Sequence, residues 1–132
     1  MQATDIPFLA GRLLLGGYFL HAGWSHFRNR KMMAGFAGSK GVPLPMAAIL
    51  GTGLLLALGG LSILTGVLPY VGLGLLAVFF LGVTPKMHDY WNTKDPMQRM
   101  GDRVHFLKNT ALLGAVLALV MLGPTWPLAL HF

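Results

Sequence analysis

The chain has 132 residues, of which 55% are hydrophobic and only 11% charged, with a net charge of +6 and no cysteine. Soluble domains carry roughly 25% charged residues, and a core this small could not hide so much apolar surface, so the composition excludes an ordinary water-soluble domain and points to lipid as the solvent. The missing cysteines exclude thiol–disulfide chemistry, cysteine-ligated iron–sulfur clusters and covalent haem attachment.

Four runs reach the roughly 20 residues that cross a bilayer core about 30 Å thick. They lie at Ile6–Phe27, Met46–Thr65, Leu68–Pro85 and Val104–Leu122. Each is apolar around most of its circumference, and a helix satisfies its own backbone, as lipid requires. The predicted fold is therefore all-α, an integral membrane four-helix bundle formed by residues 1–132 as one domain. The opening "MQATDIP" has no basic stretch and carries Asp5. It does not look like a cleaved signal peptide, so the first span is expected in the mature protein.

The first span, "GRLLLGGYFLHAGWSHF", holds Arg12 near one end and His21, Ser25 and His26 near the other. At about 100° per residue, Arg12, Gly16, Phe19, Gly23 and His26 share one narrow sector, expected to face the bundle interior. Leu13, Leu20, Trp24 and Phe27 form a bulky sector expected to face lipid. Arg12 has two readings. It hydrogen-bonds helix-end carbonyls or snorkels outward, or it holds a carbonyl or anion in an outer-leaflet cavity. His21 is expected to be a packed, hydrogen-bonded histidine rather than a haem ligand.

The loop "RNRKMMAGFAGSKGVPLP" predicts a short interfacial helix carrying Met32, Met33 and Phe36, ended by Gly41, Pro43 and Pro45. Span two follows with Gly51, Gly53, Ala57, Gly59 and Gly60, and span three with Gly72, Gly74, Ala77 and Gly82. Such residues let helix backbones approach closely where water supplies no driving force. Between these spans only a tight outer turn fits, punctuated by Gly66 and Pro69. Past span three, "KMHDYWNTKDPMQRMGDR" holds three of the four acidic residues.

Basic residues lie at or within the two loops on one side, with none in the outer segments, so the positive-inside rule puts both termini outside. Trp24 and Trp91 then mark the inner boundary, Tyr70 and Trp126 the outer one. The basic charges flank spans instead of forming a face with stacking aromatics, which excludes a nucleic-acid partner and fits binding to anionic headgroups of the lipid bilayer.

The inner ends of three spans deliver His26, His88, Asp89, His105, Lys108 and Asn109 to one level. His105, Lys108 and Asn109 share a helix face. The cluster is either structural, with Asp89 neutralising Lys108, or it holds a small-molecule headgroup such as a quinone. In that case His88 and Lys108 are the donors to its carbonyl oxygens. A divalent metal on His26, His88 and His105 is the weakest reading, because no pair has a metal-motif spacing.

"GRLLLGGYFLHAGWSHF", "GFAGSKGVPLP", "LALGGLSILTG", "MHDYW" and "HFLKNTALLGA" together resemble the DoxX family of four-helix bacterial membrane proteins, over nearly the whole chain. The resemblance implies one DoxX-like transmembrane domain in the bacterial inner (plasma) membrane. It also implies an association with quinone-linked oxidation of sulfur compounds and with redox complexes that counter oxidative stress. The matching motif residues are Arg12, His88, Trp91, Lys108 and Asn109. Two departures stand out. Family members often carry a glutamate in span two where this chain has Leu56, and the tail closes on "LALHF". The leading expectation is the membrane subunit of such a complex, non-catalytic in itself, with a quinone as its cofactor, a soluble redox protein on the cytoplasmic side and homo-oligomers as further partners. The alternatives are a non-enzymatic scaffold or assembly factor, and a protein handling small solutes or lipids along a polar path from Arg12 to His26.

Overall fold

A computed structural model describes residues 2–130. Met1 of the opening stretch and the final His131 and Phe132 of the "LALHF" tail lie outside them. Among the described residues there are five α-helices and no strand: α1 Asp5–Arg28, α2 Arg30–Ser39, α3 Pro45–Thr65, α4 Pro69–Met87 and α5 Pro96–Leu119. Single 3-10 turns follow α4 at Tyr90–Asn92 and α5 at Val120–Leu122. α2 is the short helix expected after the first span. Proline at the first turn starts α3, α4 and α5, where its missing N–H costs nothing. Gly66, at φ 74°, closes α3 in the left-handed conformation that glycine adopts without penalty.

Among the described residues three stretches are long and apolar enough to cross a membrane, Pro45–Thr65, Pro69–Asn92 and Pro96–Leu122. α1 has the length, at 24 residues, but Arg12, His21 and His26 dilute its apolar content and it falls outside this set.

The last helix extends beyond the expected span. It begins at Pro96, not Val104, because the Asp95 side chain accepts the Gln98 N–H at 2.8 Å and caps a polar first turn. Hydropathy does not register a polar helix start. Lys108 lies about 18 Å along α5, at 1.5 Å per residue.

α1 packs on α3, α3 on α4 and α4 on α5, while α2 lies against α3. α1 and α5 do not pack closely on each other, so the four long helices leave a gap along one side. The α1–α3 contact is the closest and is made by glycines at matching seven-residue intervals. A Cβ on Gly16 would stand 2.9 Å from the Gly60 carbonyl oxygen, and one on Gly23 2.9 Å from that of Gly53. These pairs set the two helices antiparallel with backbones touching. Gly51, Gly74 and Gly82 face open space and make no such contact.

The core gathers Phe19, Leu56, Ile63, Leu73, Leu76, Phe79, Phe80, Val116 and Trp126. α1 buries Arg12, Gly16, Phe19 and Gly23, the sector picked out by helix geometry, while Leu13 and Trp24 are exposed. His21 is exposed on α1 rather than packed, being turned away from α3. Trp126, expected at the outer boundary, is packed within the protein. It is only 4% exposed, because the tail folds back and sets the indole edge-on to Phe8 at 5.4 Å and against the Arg12 guanidinium at 5.9 Å.

Candidate functional site

Arg12 is fully engaged by backbone. Its Nε donates to the Ile63 carbonyl at 3.0 Å, Nη2 to Leu64 at 2.8 Å and Nη1 to Pro127 at 2.7 Å. The first two are carbonyls of the last turn of α3, which no further helical N–H can reach. The guanidinium thus caps one helix and pins the tail, and it lines neither of the two cavities described below. The polar path from Arg12 to His26 is closed as well, since Gly16 and Gly23 lie against α3.

A large cavity lies where α1, α3, α4 and α5 diverge and α2 covers their ends. Its volume is about 510 Å³. Phe19, Leu55, Leu56, Val78, Phe79 and Phe80 supply apolar wall, and Met33, Phe36 and Ala37 of α2 complete it. The polar groups on it are few: Tyr18, His26, Thr52, Lys86, His88, Lys108 and Asn109. His26, His88, Lys108 and Asn109 of the expected cluster therefore meet on one surface, whereas Arg12, Asp89, Trp91 and His105 are not on it.

Each polar group has a local cause. His26 is held by its own helix, Nδ1–H donating to the Ala22 carbonyl at 2.9 Å, with its ring edge-on to Phe79 at 6.0 Å. Thr52 bends back to its helix, donating to the Ala48 carbonyl at 2.8 Å. On α5 the buried residues are Asp102, Asn109 and Val116, one every seven, so a single narrow stripe carries Asn109 inward. Lys108, next to that stripe, reaches across the gap to α1, its Nζ 5.9 Å from the Tyr18 ring centre. A second, apolar hollow of about 310 Å³, lined by Gly11, Leu14, Leu15 and Leu112, also touches Tyr18 and Lys108.

The expected ion pair is different. Asp89 binds Lys40, at 2.5 Å, and not Lys108. Lys40 sits just past α2, which folds under the bundle and brings it to the end of α4. Among the described residues Lys108 makes no salt bridge at all, since the ion pairs are Lys40–Asp89, Lys40–Asp102 and His88–Asp102.

Sequence patterns pass over Asp102, yet it is only 7% exposed. Its Oδ2 accepts the Thr93 hydroxyl at 2.9 Å, Lys40 Nζ is 3.9 Å away, and its Oδ1 is 3.8 Å from His88 Nδ1. The signal that could have found it is its place seven residues before Asn109. His105 stacks on His88, ring centres 5.1 Å apart, and stays exposed. Trp91 packs on Phe106 and Tyr90, half in solvent. Among the described residues no three histidine or carboxylate side chains come together as a metal-binding group, so His26, His88 and His105 do not converge on one ion.

The arrangement is an apolar chamber with a few oriented donors and acceptors, the usual form of a site for a small lipophilic molecule. Comparison with known proteins finds that the DoxX family matches residues 8–89. That span contains Arg12, His26 and His88. Trp91, Lys108 and Asn109 lie beyond it. No curated protein and no solved structure matches the chain.

Proposed function

The chain belongs to the DoxX family, and from that premise we propose that it is the membrane subunit of a quinone-linked redox or oxidative-stress complex, holding a quinone-class ring in the cavity among its helices. The family match and the three membrane-capable stretches make it a multi-pass membrane protein. The redox reading rests chiefly on one observation. Lys108, midway along α5, stands on the wall of an apolar cavity with no anionic partner among the described residues. A charge inside a membrane helix is costly and usually has a partner. Its resting neighbour is the Tyr18 ring, and its ammonium N–H groups are available to an oxygen on a bound ring.

The cavity volume of about 510 Å³ suits such a ring, falling within the roughly 300–1,000 Å³ of small-molecule sites. Asn109 offers a second donor beside Lys108. With no cysteine in the chain, the electrons come from a soluble partner on the cytoplasmic side of a bacterial inner membrane.

Lys108→Ala is expected to weaken binding of a short-chain benzoquinone about tenfold or more, the worth of one hydrogen bond from a charged donor. Leu117→Ala, on the exposed face of α5, should leave it unchanged. Both variants should melt within a few degrees of the parent. Calorimetric titrations and melts run side by side decide. An early-melting Lys108→Ala with normal binding makes the lysine structural and removes the quinone.

The same reading places four crossings, α1 included, with both termini outside, since eight of the ten Lys and Arg residues flank or lie within the two inner loops and none lies in an outer segment. Reporter fusions after Leu130 and after Lys94 should report the outer and cytoplasmic compartments respectively. A cytoplasmic signal from Leu130 would overturn this topology.

A further inference from the structure

We propose that the cavity selects the hydroxyl-bearing, reduced form of its ring ligand, because Asp102 and the Ala22 carbonyl fix His88 and His26 as acceptors on its wall. The inference rests on the quinone-class reading above and specifies the form taken.

The group that faces each Nδ1 fixes where the ring carries its proton. The Ala22 oxygen, 2.9 Å from His26 Nδ1, is a carbonyl and can only accept. That nitrogen must carry the proton, and in a neutral ring Nε2 is then a lone-pair acceptor. His88 Nδ1 is sealed from solvent and has no hydrogen-bond partner. The atom it faces is Asp102 Oδ1, 3.8 Å away, while Thr93 occupies the other carboxylate oxygen. A carboxylate also only accepts, so the stable tautomer again has Nδ1–H, and a shift of less than about 1 Å would close the bond to hydrogen-bond length. Lys40, 3.9 Å from the same carboxylate, already supplies it with a cation. His88 is thus left neutral, with Nε2 the nitrogen available to the cavity it lines. Orientation of a ring by a carboxylate behind it is the arrangement that fixes histidine tautomers at metal sites.

A cavity with acceptors on His26 and His88 and donors on Lys108 and Asn109 complements a hydroxyl, which both donates and accepts. A carbonyl oxygen placed against either Nε2 would set lone pair against lone pair. Asp102 therefore acts as a positioning residue, through His88, and the site prefers a hydroquinone to the matching quinone.

The test uses the full chain in detergent, titrated anaerobically with a short-chain 1,4-benzoquinone and with its 1,4-hydroquinone. The hydroquinone is expected to bind about tenfold more tightly, the size of one hydrogen bond gained against one repulsion. In Asp102→Asn, whose amide can donate to Nδ1 and move the proton to Nε2, the preference should fall to threefold or less. Proton–nitrogen NMR of ¹⁵N-histidine-labelled protein reads the tautomer without any variant, with His88 assigned by its loss in His88→Gln. An Nδ1–H signature at His88 is expected. An Nε2–H or doubly protonated ring, or equal affinity for the two forms, overturns the proposal. If neither form binds, the quinone-class reading has failed instead, and the selectivity built on it falls with it.

Discussion

Arg12→Leu should be the most damaging single polar substitution in the protein, lowering stability by about 3–5 kcal/mol. The magnitude follows from three charge-assisted hydrogen bonds, each worth about 1.5–3 kcal/mol, reduced because leucine also removes a buried charge. The carbonyls of Ile63, Leu64 and Pro127 would lose their donors, and Phe8 and Trp126 would lose the plane they stack on. Arg12→Lys should fall between, since a single ammonium cannot span acceptors that the guanidinium fork reaches from three nitrogens. The effect should also be directional. The tail beyond Leu119 is tied to the bundle through Pro127 and Trp126, so limited proteolysis in detergent should clip it before the helices melt. A leucine variant that melts with the parent and keeps its tail protected would sink this account.

That prediction depends on a choice the sequence left open. Helix geometry placed Arg12 on the buried sector with Gly16, Phe19 and Gly23, and the structure has those four buried. Geometry along one helix could not say what the guanidinium meets, because two of its acceptors are 51 and 52 residues away and the third 115. Pairing at the inner end was hidden for a related reason. Asp89 and Lys108 are the charges that helix ends would bring together if α5 began at Val104. A capped polar turn moves its start to Pro96, and α2 carries Lys40 to Asp89 instead. Short-range signals such as proline starts, Gly66 and the α2 break were legible because they act within a few residues. Tertiary partners of single polar side chains were not. Asp102 shows the limit most clearly, since in sequence it reads as one more loop charge between Gly101 and Arg103.

Gly60→Ala should cost about 2–3 kcal/mol, although alanine is the better helix former by about 1 kcal/mol. A Cβ at Gly60 would lie 2.8 Å from the Gly16 carbonyl oxygen and 2.8 Å from the Leu20 nitrogen. Both are backbone atoms of a regular helix and cannot swing aside as a side chain could, so α1 must back away from α3. Gly74→Ala provides the opposite sign. Nothing lies within 4 Å of the point a Cβ would occupy there, and the change should stabilise by up to about 1 kcal/mol through helix propensity alone. The packing loss should extend to the ligand site, because α1 brings Tyr18, Phe19, Ala22 and His26 to the cavity. Moving it outward widens the gap to α5 and separates Tyr18 from Lys108. Gly60→Ala is therefore expected to lose ring binding together with stability, whereas Lys108→Ala loses binding alone. Melts and titrations of Gly60→Ala and Gly74→Ala in the same detergent would check this, and equal melting of the two would show that the α1–α3 glycine contact does not set the spacing of the helices.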